Sequence, residues 1–166
     1  MKHILLLIIL SVTLKAQEIN KLIIDEKSEK PMLIGICDRS AFTDTSFSWW
    51  FNSEYNMYTL DTLTLDSISG KLNDYTITIV MGTWCSDSRR EVPRFYKILD
   101  RLNYDQKKLT LICVNHEKKN PNGDIENLAI KFVPTIIFYK NNDELGRIVE
   151  TPQETLEKDI LKIMVK

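Results

Sequence analysis

Apolar, β-branched segments alternate with helical patterns in the second half of the chain. The segments at 75–81, 109–114 and 135–139 are short and rich in Ile, Val and Thr, which predicts buried strands. Between the first two, apolar residues recur at helical spacing across 86–102 and predict an amphipathic helix. The apolar face of this helix consists of Val92, Phe95, Tyr96, Leu99 and Leu102.

Weaker patterns complete the order of elements. A short helix is predicted at 125–131, and the Asn-Asn-Asp turn at 141–143 predicts a hairpin that returns through a strand at 145–150. A last helix is predicted to begin with a capping box, with Thr151 as N-cap and Glu154 at its third position. Its buried face would contain Leu156, Ile160 and Ile163. Strands that alternate with helices and end in a hairpin predict an α/β fold with a central mixed sheet flanked by helices.

The segment 17–70 is predicted to be an N-terminal helical extension packed on the core. It contains one run of strand length at 32–37. Five aromatic residues recur at helical spacing, namely Phe47, Trp50, Phe51, Tyr55 and Tyr58. We interpret this stripe as the buried face of a helix, with an exposed binding surface as the alternative. Trp49 falls off the stripe and is expected at the surface.

Residues 1–16 have the layout of a secretory signal peptide, which leaves the extension and a domain at 71–166. Lys2 precedes an apolar run of about a dozen residues, which is shorter than the roughly 20 that span a bilayer as a helix. Ala16 is a plausible residue before the cleavage site. We therefore expect an exported protein, periplasmic or extracellular, without a permanent membrane anchor; an anchor formed by the same run is the alternative.

Composition narrows the classes of function. The 166 residues include 22 Lys and Arg against 23 Asp and Glu, and a formal charge of −1 leaves no electrostatic signal for nucleic-acid binding. Three cysteines, at 37, 85 and 113, are too scattered for a structural zinc site, and no metal or organic cofactor is implied. In an oxidising compartment, an odd number of thiols favours disulfide exchange or a mixed disulfide.

The most informative cysteine is Cys85, which ends a turn between a predicted strand and a predicted helix. Unpaired amides and the helix dipole at that position favour its thiolate. Arg89 and Arg90 would favour the thiolate further, whereas Asp87 would oppose it. The alternative, a buried and inert thiol, fits poorly with the polar residues that follow it.

The motifs around this cysteine resemble the thioredoxin superfamily over about 70–166. The resemblance rests on Trp84-Cys85 after a strand, Pro93 within the next helix, and Val133-Pro134-Thr135 before a hairpin and a C-terminal helix. More narrowly, Gly82-x-Trp-Cys85 followed by Asp-Ser-x-Arg-Glu-Val-Pro is similar to secreted bacterial thioredoxin-like proteins in which a serine replaces the second cysteine of the usual pair.

The resemblance implies a thioredoxin-like fold and roles for individual residues. Pro134 would be a cis-proline beside Cys85, and the backbone of Val133 would pair with an extended substrate. Thr135 follows in the same substrate-binding loop, and Trp84 would shape the surface. Ser88 stands at the place of the resolving cysteine and would donate a hydrogen bond to the thiolate. Ile79 stands where thioredoxins often carry a buried acid that assists that cysteine.

These departures disfavour a dithiol cycle and favour exchange or isomerisation through one nucleophilic cysteine. The expected partners are thiols and disulfides of exported proteins, or a small thiol. Cys37 is a candidate resolving thiol, whereas Cys113 in mid-strand is expected to be a buried small hydrophobe. His116 is interpreted as a solvated loop histidine, with a catalytic base as the alternative. The rival functions are a non-catalytic peptide- or protein-binding module and a structural domain with an unreactive thiol.

Overall fold

A six-stranded mixed sheet forms the centre of the computed structural model, which describes residues 18–121 and 125–165. The strands are β1 (Lys21–Ile24), β2 (Pro31–Cys37), β3 (Thr76–Met81), β4 (Leu109–Cys113), β5 (Thr135–Lys140) and β6 (Asp143–Val149). Their order across the sheet is β1-β2-β4-β3-β5-β6. Only β3 and β4 are parallel, and each other neighbouring pair is antiparallel.

The α-helices cover one face of this sheet. They are α1 (Thr45–Met57), α2 (Thr62–Ile68), α3 (Ser86–Arg101) and α4 (Leu156–Met164). The apolar residues that they bury join one core with the inward-facing residues of the strands, among them Ile79, Leu111 and Phe138. Within the described residues, no helix is long and apolar enough to cross a bilayer.

The opposite face of the sheet carries a smaller apolar cluster. Because strand side chains alternate in direction, Ile79 and Met81 face the helices whereas Val80 between them faces the other way. The smaller cluster contains Val80, Ile112, Val114, Ile125 and Val133. Trp84 and Cys85 pack against this smaller cluster. The Cys85 thiol and the helical core therefore lie on opposite sides of the sheet.

The predicted fold class is confirmed. The parallel unit β3-α3-β4, followed by the hairpin β5-β6 and α4, gives an α/β thioredoxin-like fold with a mixed sheet and flanking helices. The hairpin turn lies at Asn141 and Asn142, whose positive φ angles of 53° and 70° suit asparagine and match the twist of the two strands.

The N-terminal segment contains more strand than the sequence predicts. The aromatic stripe lies in α1 apart from Tyr58, which is the C-cap of this helix. Trp50 and Phe51 are buried while Trp49 is 66% exposed, as expected. The run at 32–37 becomes β2, which pairs antiparallel with β4. The sequence did not predict β1. A purely helical extension is therefore an incomplete description, because two strands of the sheet come from this segment.

Two predictions about helices in the second half of the chain are wrong. The last helix begins at Leu156 with Thr155 as its N-cap, whose side chain accepts a hydrogen bond from the Lys158 amide, so Thr151 does not cap it. The predicted helix at 125–131 is a short 3₁₀ turn that ends at Ala129, a residue in the left-handed conformation with φ 50°. The predicted signal peptide lies outside the described residues.

Candidate active site

Cys85 lies where β3 passes into α3 and is the N-cap residue of that helix. The turn is tight, since the Cys85 amide donates to the Gly82 carbonyl at 3.0 Å. Glycine suits position 82, because a Cβ there would lie 2.5 Å from the Trp84 indole unless the indole moved. The Cys85 side chain is half-buried, and its thiol donates to the Val133 carbonyl at 3.2 Å. The Cys85 thiol therefore lies at a helix N-terminus, where the partial positive charge of the helix dipole favours an anion.

Val133, Pro134 and Thr135 form the loop that faces this thiol. The Val133–Pro134 peptide bond is cis, and the Pro134 carbonyl accepts a hydrogen bond from the Glu150 amide at 2.7 Å. Thr135 is buried, and its hydroxyl donates to the Phe132 carbonyl at 2.7 Å. The first contact ties the loop to the residue that follows β6, and the second lies within the loop. The structure thus places Val133 in contact with Cys85, with Pro134 and Thr135 following it in the chain, and the substrate-binding role of the three residues stays a prediction.

Ser88 follows Cys85 by one helical turn and is fully buried. Its hydroxyl oxygen accepts a hydrogen bond from the Gly82 amide at 3.3 Å, so the serine braces the turn that carries the cysteine. The predicted hydrogen bond from Ser88 to the thiolate stays a prediction.

The charged residues of the first helical turns are largely paired with one another. Arg90 binds Asp87 at 2.8 Å and Glu91 at 2.6 Å. Both contacts raise the pKa of Arg90, and the hydrogen bond with Glu91 has the larger effect. Arg89 donates from Nε to the Thr83 carbonyl at 2.5 Å. Arg89 therefore stabilises the strand-to-helix turn, whereas the charge of Arg90 is matched by two carboxylates within α3.

Trp84 is held on two sides. Its indole N–H donates to the Val114 carbonyl at 2.9 Å, and its ring stacks on His116 with centroids 4.2 Å apart and planes at 26°. His116 Nε2 lies 3.0 Å from Asp25 Oδ1, and Asp25 is only 3% exposed. His116 is therefore not a solvated loop histidine, and the sequence did not single out Asp25.

A register signal could have located His116. Met81 in β3 and Cys113 in β4 are partners in the parallel pair. Trp84 follows Met81 by three residues, and His116 follows Cys113 by three residues. The carboxyl ends of parallel strands meet at one edge of the sheet, so the two rings are expected to be neighbours there. No comparable pairing signal exists in the sequence for Asp25, which lies in the turn between β1 and β2.

Cys37 and Cys113 lie on the other face of the sheet from Cys85. They belong to neighbouring strands, with Cys113 opposite Gly35 and Cys37 opposite Leu111, and both are buried in the helical core. A hydrogen bond with Cys37, together with burial, raises the pKa of the Cys113 thiol. The structure thus brings the candidate resolving thiol Cys37 to Cys113 and does not bring it to Cys85.

Comparisons with known proteins bear on the fold. No protein-family model and no curated protein matches this chain. A protein of unknown function from Pseudomonas aeruginosa is similar with a TM-score of 0.57 and 17% identity, covering 80% of this chain and 91% of that chain. An HIV epitope-scaffold matches with a TM-score of 0.53 and 17% identity, over 80% and 84% of the two chains. Thioredoxin O2 from Arabidopsis thaliana gives a TM-score of 0.38 at 16% identity, over 63% and 83%.

Proposed function

We propose that this protein carries out thiol–disulfide exchange or isomerisation on exported proteins, with Cys85 as its single nucleophile. The observation that carries the proposal is the position of the Cys85 thiol, at the N-terminus of α3 and 3.2 Å from the Val133 carbonyl. A helix N-terminus favours the thiolate, which is the reactive form in disulfide exchange. The adjacent loop offers the backbone of Val133 to an extended substrate.

The chemistry proceeds in two exchanges. The Cys85 thiolate attacks one sulfur of a substrate disulfide, a mixed disulfide forms, and the other substrate sulfur leaves as a thiolate. A second thiolate then attacks the substrate sulfur of the mixed disulfide, which forms a new disulfide and releases the Cys85 thiolate. Each exchange breaks one disulfide and forms one, so the protein returns to its starting redox state.

The second thiolate must come from outside the chain. Ser88 occupies the place of a resolving thiol, and Cys37 and Cys113 are buried on the far face of the sheet. A second thiol of the substrate would complete an isomerisation, and a small thiol would complete a release. This requirement favours isomerisation or small-thiol-dependent exchange over a dithiol reductase cycle.

The proposed substrate surface combines apolar side chains with the backbone of Val133. Trp84 is half-buried beside the thiol, and Phe132, next to Val133, is 51% exposed. An extended, partly apolar segment of an incompletely folded protein suits such a surface. Export through residues 1–16 would bring the protein to compartments in which disulfides form. N-terminal mass analysis of the protein recovered outside the cytosol tests that part of the proposal.

The exchange proposal is tested with a reporter enzyme whose disulfides have been scrambled, incubated with purified protein in a glutathione buffer. The wild-type protein should accelerate the recovery of reporter activity, and Cys85→Ala should return it to the uncatalysed rate. Cys37→Ala is the matched control, because it removes a thiol by the same chemical change in the buried core. Recovery that is equally fast with Cys85→Ala would contradict the proposal.

The binding-module alternative gives a different pattern. It predicts that wild-type protein and Cys85→Ala bind an extended fluorescent peptide equally well while neither accelerates exchange. Fluorescence anisotropy and the exchange assay, measured on the same two proteins, together separate the two functions: binding without exchange in the wild-type protein supports the binding module.

A further inference from the structure

Trp84 and His116 form a stacked pair at the edge of the sheet that carries Cys85. The ring centroids are 4.2 Å apart, and the indole N–H is bound to the Val114 carbonyl at 2.9 Å. One face and the polar edge of the indole are thus both occupied by groups that follow β4. Trp84 directly precedes Cys85, and both side chains pack against the smaller apolar cluster on this face of the sheet.

His116 is itself held by a buried carboxylate. Asp25 Oδ1 lies 3.0 Å from His116 Nε2 and also accepts a hydrogen bond from the Lys27 amide at 3.2 Å, while Oδ2 accepts from the Ser28 hydroxyl at 2.5 Å. The Asp25 amide donates to the Lys30 carbonyl at 2.9 Å, which fixes the turn between β1 and β2. Both carboxylate oxygens are therefore engaged, and Asp25 holds one ring nitrogen of His116 in a fixed place.

A second contact links the N-terminal strands to the same turn. The Leu33 amide in β2 donates to the Thr83 hydroxyl at 3.2 Å, and Thr83 is buried. The Thr83 carbonyl in turn accepts from Arg89. The two residues that precede Cys85 are thus both braced, one directly by β2 and the other through His116 by the β1–β2 turn.

We propose that His116, held by Asp25, is a positioning residue for the exchange reaction at Cys85, an inference that rests on the function proposed for that thiol. His116 and Asp25 hold the Trp84 indole in one orientation before substrate binds. Binding therefore does not include the free-energy cost of ordering this side chain. The β1–β2 turn thereby becomes part of the active site. The contribution of His116 should fall on KM rather than on kcat, because in this proposal the indole lines the surface that binds the substrate segment and takes no part in the exchange of sulfur atoms.

The test compares two replacements of the histidine in the full protein. His116→Ala removes the stacked ring, and we expect about a fivefold loss of kcat/KM, carried by KM, which is the size of effect that one aromatic contact supports. His116→Phe keeps a ring against the indole and should restore most of the loss. Asp25→Asn keeps an acceptor toward His116 and should cost less than Asp25→Ala. Glu117→Gln alters the exposed neighbouring residue and serves as the unaffected control.

A spectroscopic readout separates positioning from a general loss of structure. With 5-fluorotryptophan in the protein, the fluorine resonance of Trp84, assigned through Trp84→Phe, should broaden or move in His116→Ala while those of Trp49 and Trp50 stay in place. An unchanged Trp84 resonance with unchanged KM in His116→Ala would overturn the inference, as would a His116→Phe variant as impaired as His116→Ala.

The same data distinguish this inference from the proposed function. If the wild-type protein shows no exchange activity, the proposed function fails, and with it the catalytic part of this inference. A Trp84 resonance that still responds to His116→Ala would then support the structural part alone. If the wild-type protein catalyses exchange but neither KM nor the Trp84 resonance changes in His116→Ala, the proposed function stands and the positioning role of His116 is overturned.

Discussion

The Cys85 thiol and the Val133 carbonyl oxygen lie 3.2 Å apart, although 48 residues separate them in the chain. The contact joins the N-terminus of α3 to the loop that leads into β5. Only the protonated thiol can donate this hydrogen bond. The Cys85 sulfur and the backbone of the loop with the cis Val133–Pro134 bond are therefore neighbours only in the folded chain.

Ser88→Cys should convert the single-cysteine site into a dithiol site. Residues three apart on a helix have Cβ atoms about 5–6 Å apart, and disulfides are common at Cα separations of about 5.5 Å. Ser88 follows Cys85 by one turn of α3. Under oxidising conditions the variant should lose the native reactivity of Cys85 toward iodoacetamide, and dithiothreitol should restore it.

Mass spectrometry of the oxidised variant gives the decisive comparison, since an intramolecular disulfide lowers the mass by two hydrogens. Ser86→Cys, one residue after the nucleophile, is the matched control and should form no such bond. A Ser88→Cys variant that stays fully reactive would show that the two positions do not meet.

Gly82→Ala should disturb the site more than it disturbs the fold. The added methyl group would lie 2.5 Å from the Trp84 indole, which must turn away from its contacts with Val114 and His116. Overpacking of this kind costs about 1–3 kcal/mol of unfolding free energy. We expect a lower exchange rate together with that loss of stability.

Gly146→Ala provides the comparison for Gly82→Ala. Its methyl group would meet Ile163 of α4 at 3.0 Å, in the helical core rather than beside Trp84. It should lower the thermal unfolding midpoint while the exchange rate of the folded protein stays near wild type. Equal losses of exchange in the two variants would indicate that Gly82 has no special relation to the site.

The regular part of the fold could be predicted from local pattern. The strands β3, β4 and β5 are short, β-branched and buried, and the apolar face of α3 recurs at helical spacing, so periodicity alone locates them. Capping was less predictable. Thr151 and Thr155 are both suitable N-caps by residue type, and the position of α4 against the core selects Thr155.

The site could be predicted only where its parts are local in sequence. The turn at Cys85 and the Val-Pro-Thr loop each carry a recognisable motif. The contact between His116 and Asp25 spans 91 residues and depends on the pairing of β1 with β2 and of β2 with β4. Since β1 is only four residues long and mostly exposed, it has no alternating pattern strong enough to predict it.

The three thiols should react in two classes. Cys85 is half-buried at a helix N-terminus, whereas Cys37 and Cys113 are buried in the core, where the hydrogen bond with Cys37 and burial raise the pKa of Cys113. Iodoacetamide should therefore modify Cys85 alone in the native protein, and all three thiols in guanidinium chloride. Peptide mapping after native labelling checks the assignment. Native modification of Cys37 at a rate similar to that of Cys85 would show that Cys37 is not buried in the helical core.

The Asp25 carboxylate should make the stability of the protein depend on acid pH. The hydrogen bond from Ser28, followed by those from His116 and the Lys27 amide, lowers the pKa of Asp25 from 3.8 to about 2 against the opposing effect of burial. A carboxylate with a lower pKa in the folded state stabilises the fold fully above its unfolded pKa. That contribution is lost as the pH falls from about 4 to about 2.

Wild-type protein should therefore lose more unfolding free energy than Asp25→Asn when denaturant curves at about pH 5 and about pH 2 are compared. Glu26→Gln removes one carboxylate from the next, exposed position of the same turn and is the control for a general effect of charge. Its loss should match that of the wild type, because Asp25 and its partners stay in place. Parallel losses in the wild type and Asp25→Asn would mean that the buried carboxylate is not held as described, and the support it gives to His116 would be lost with it.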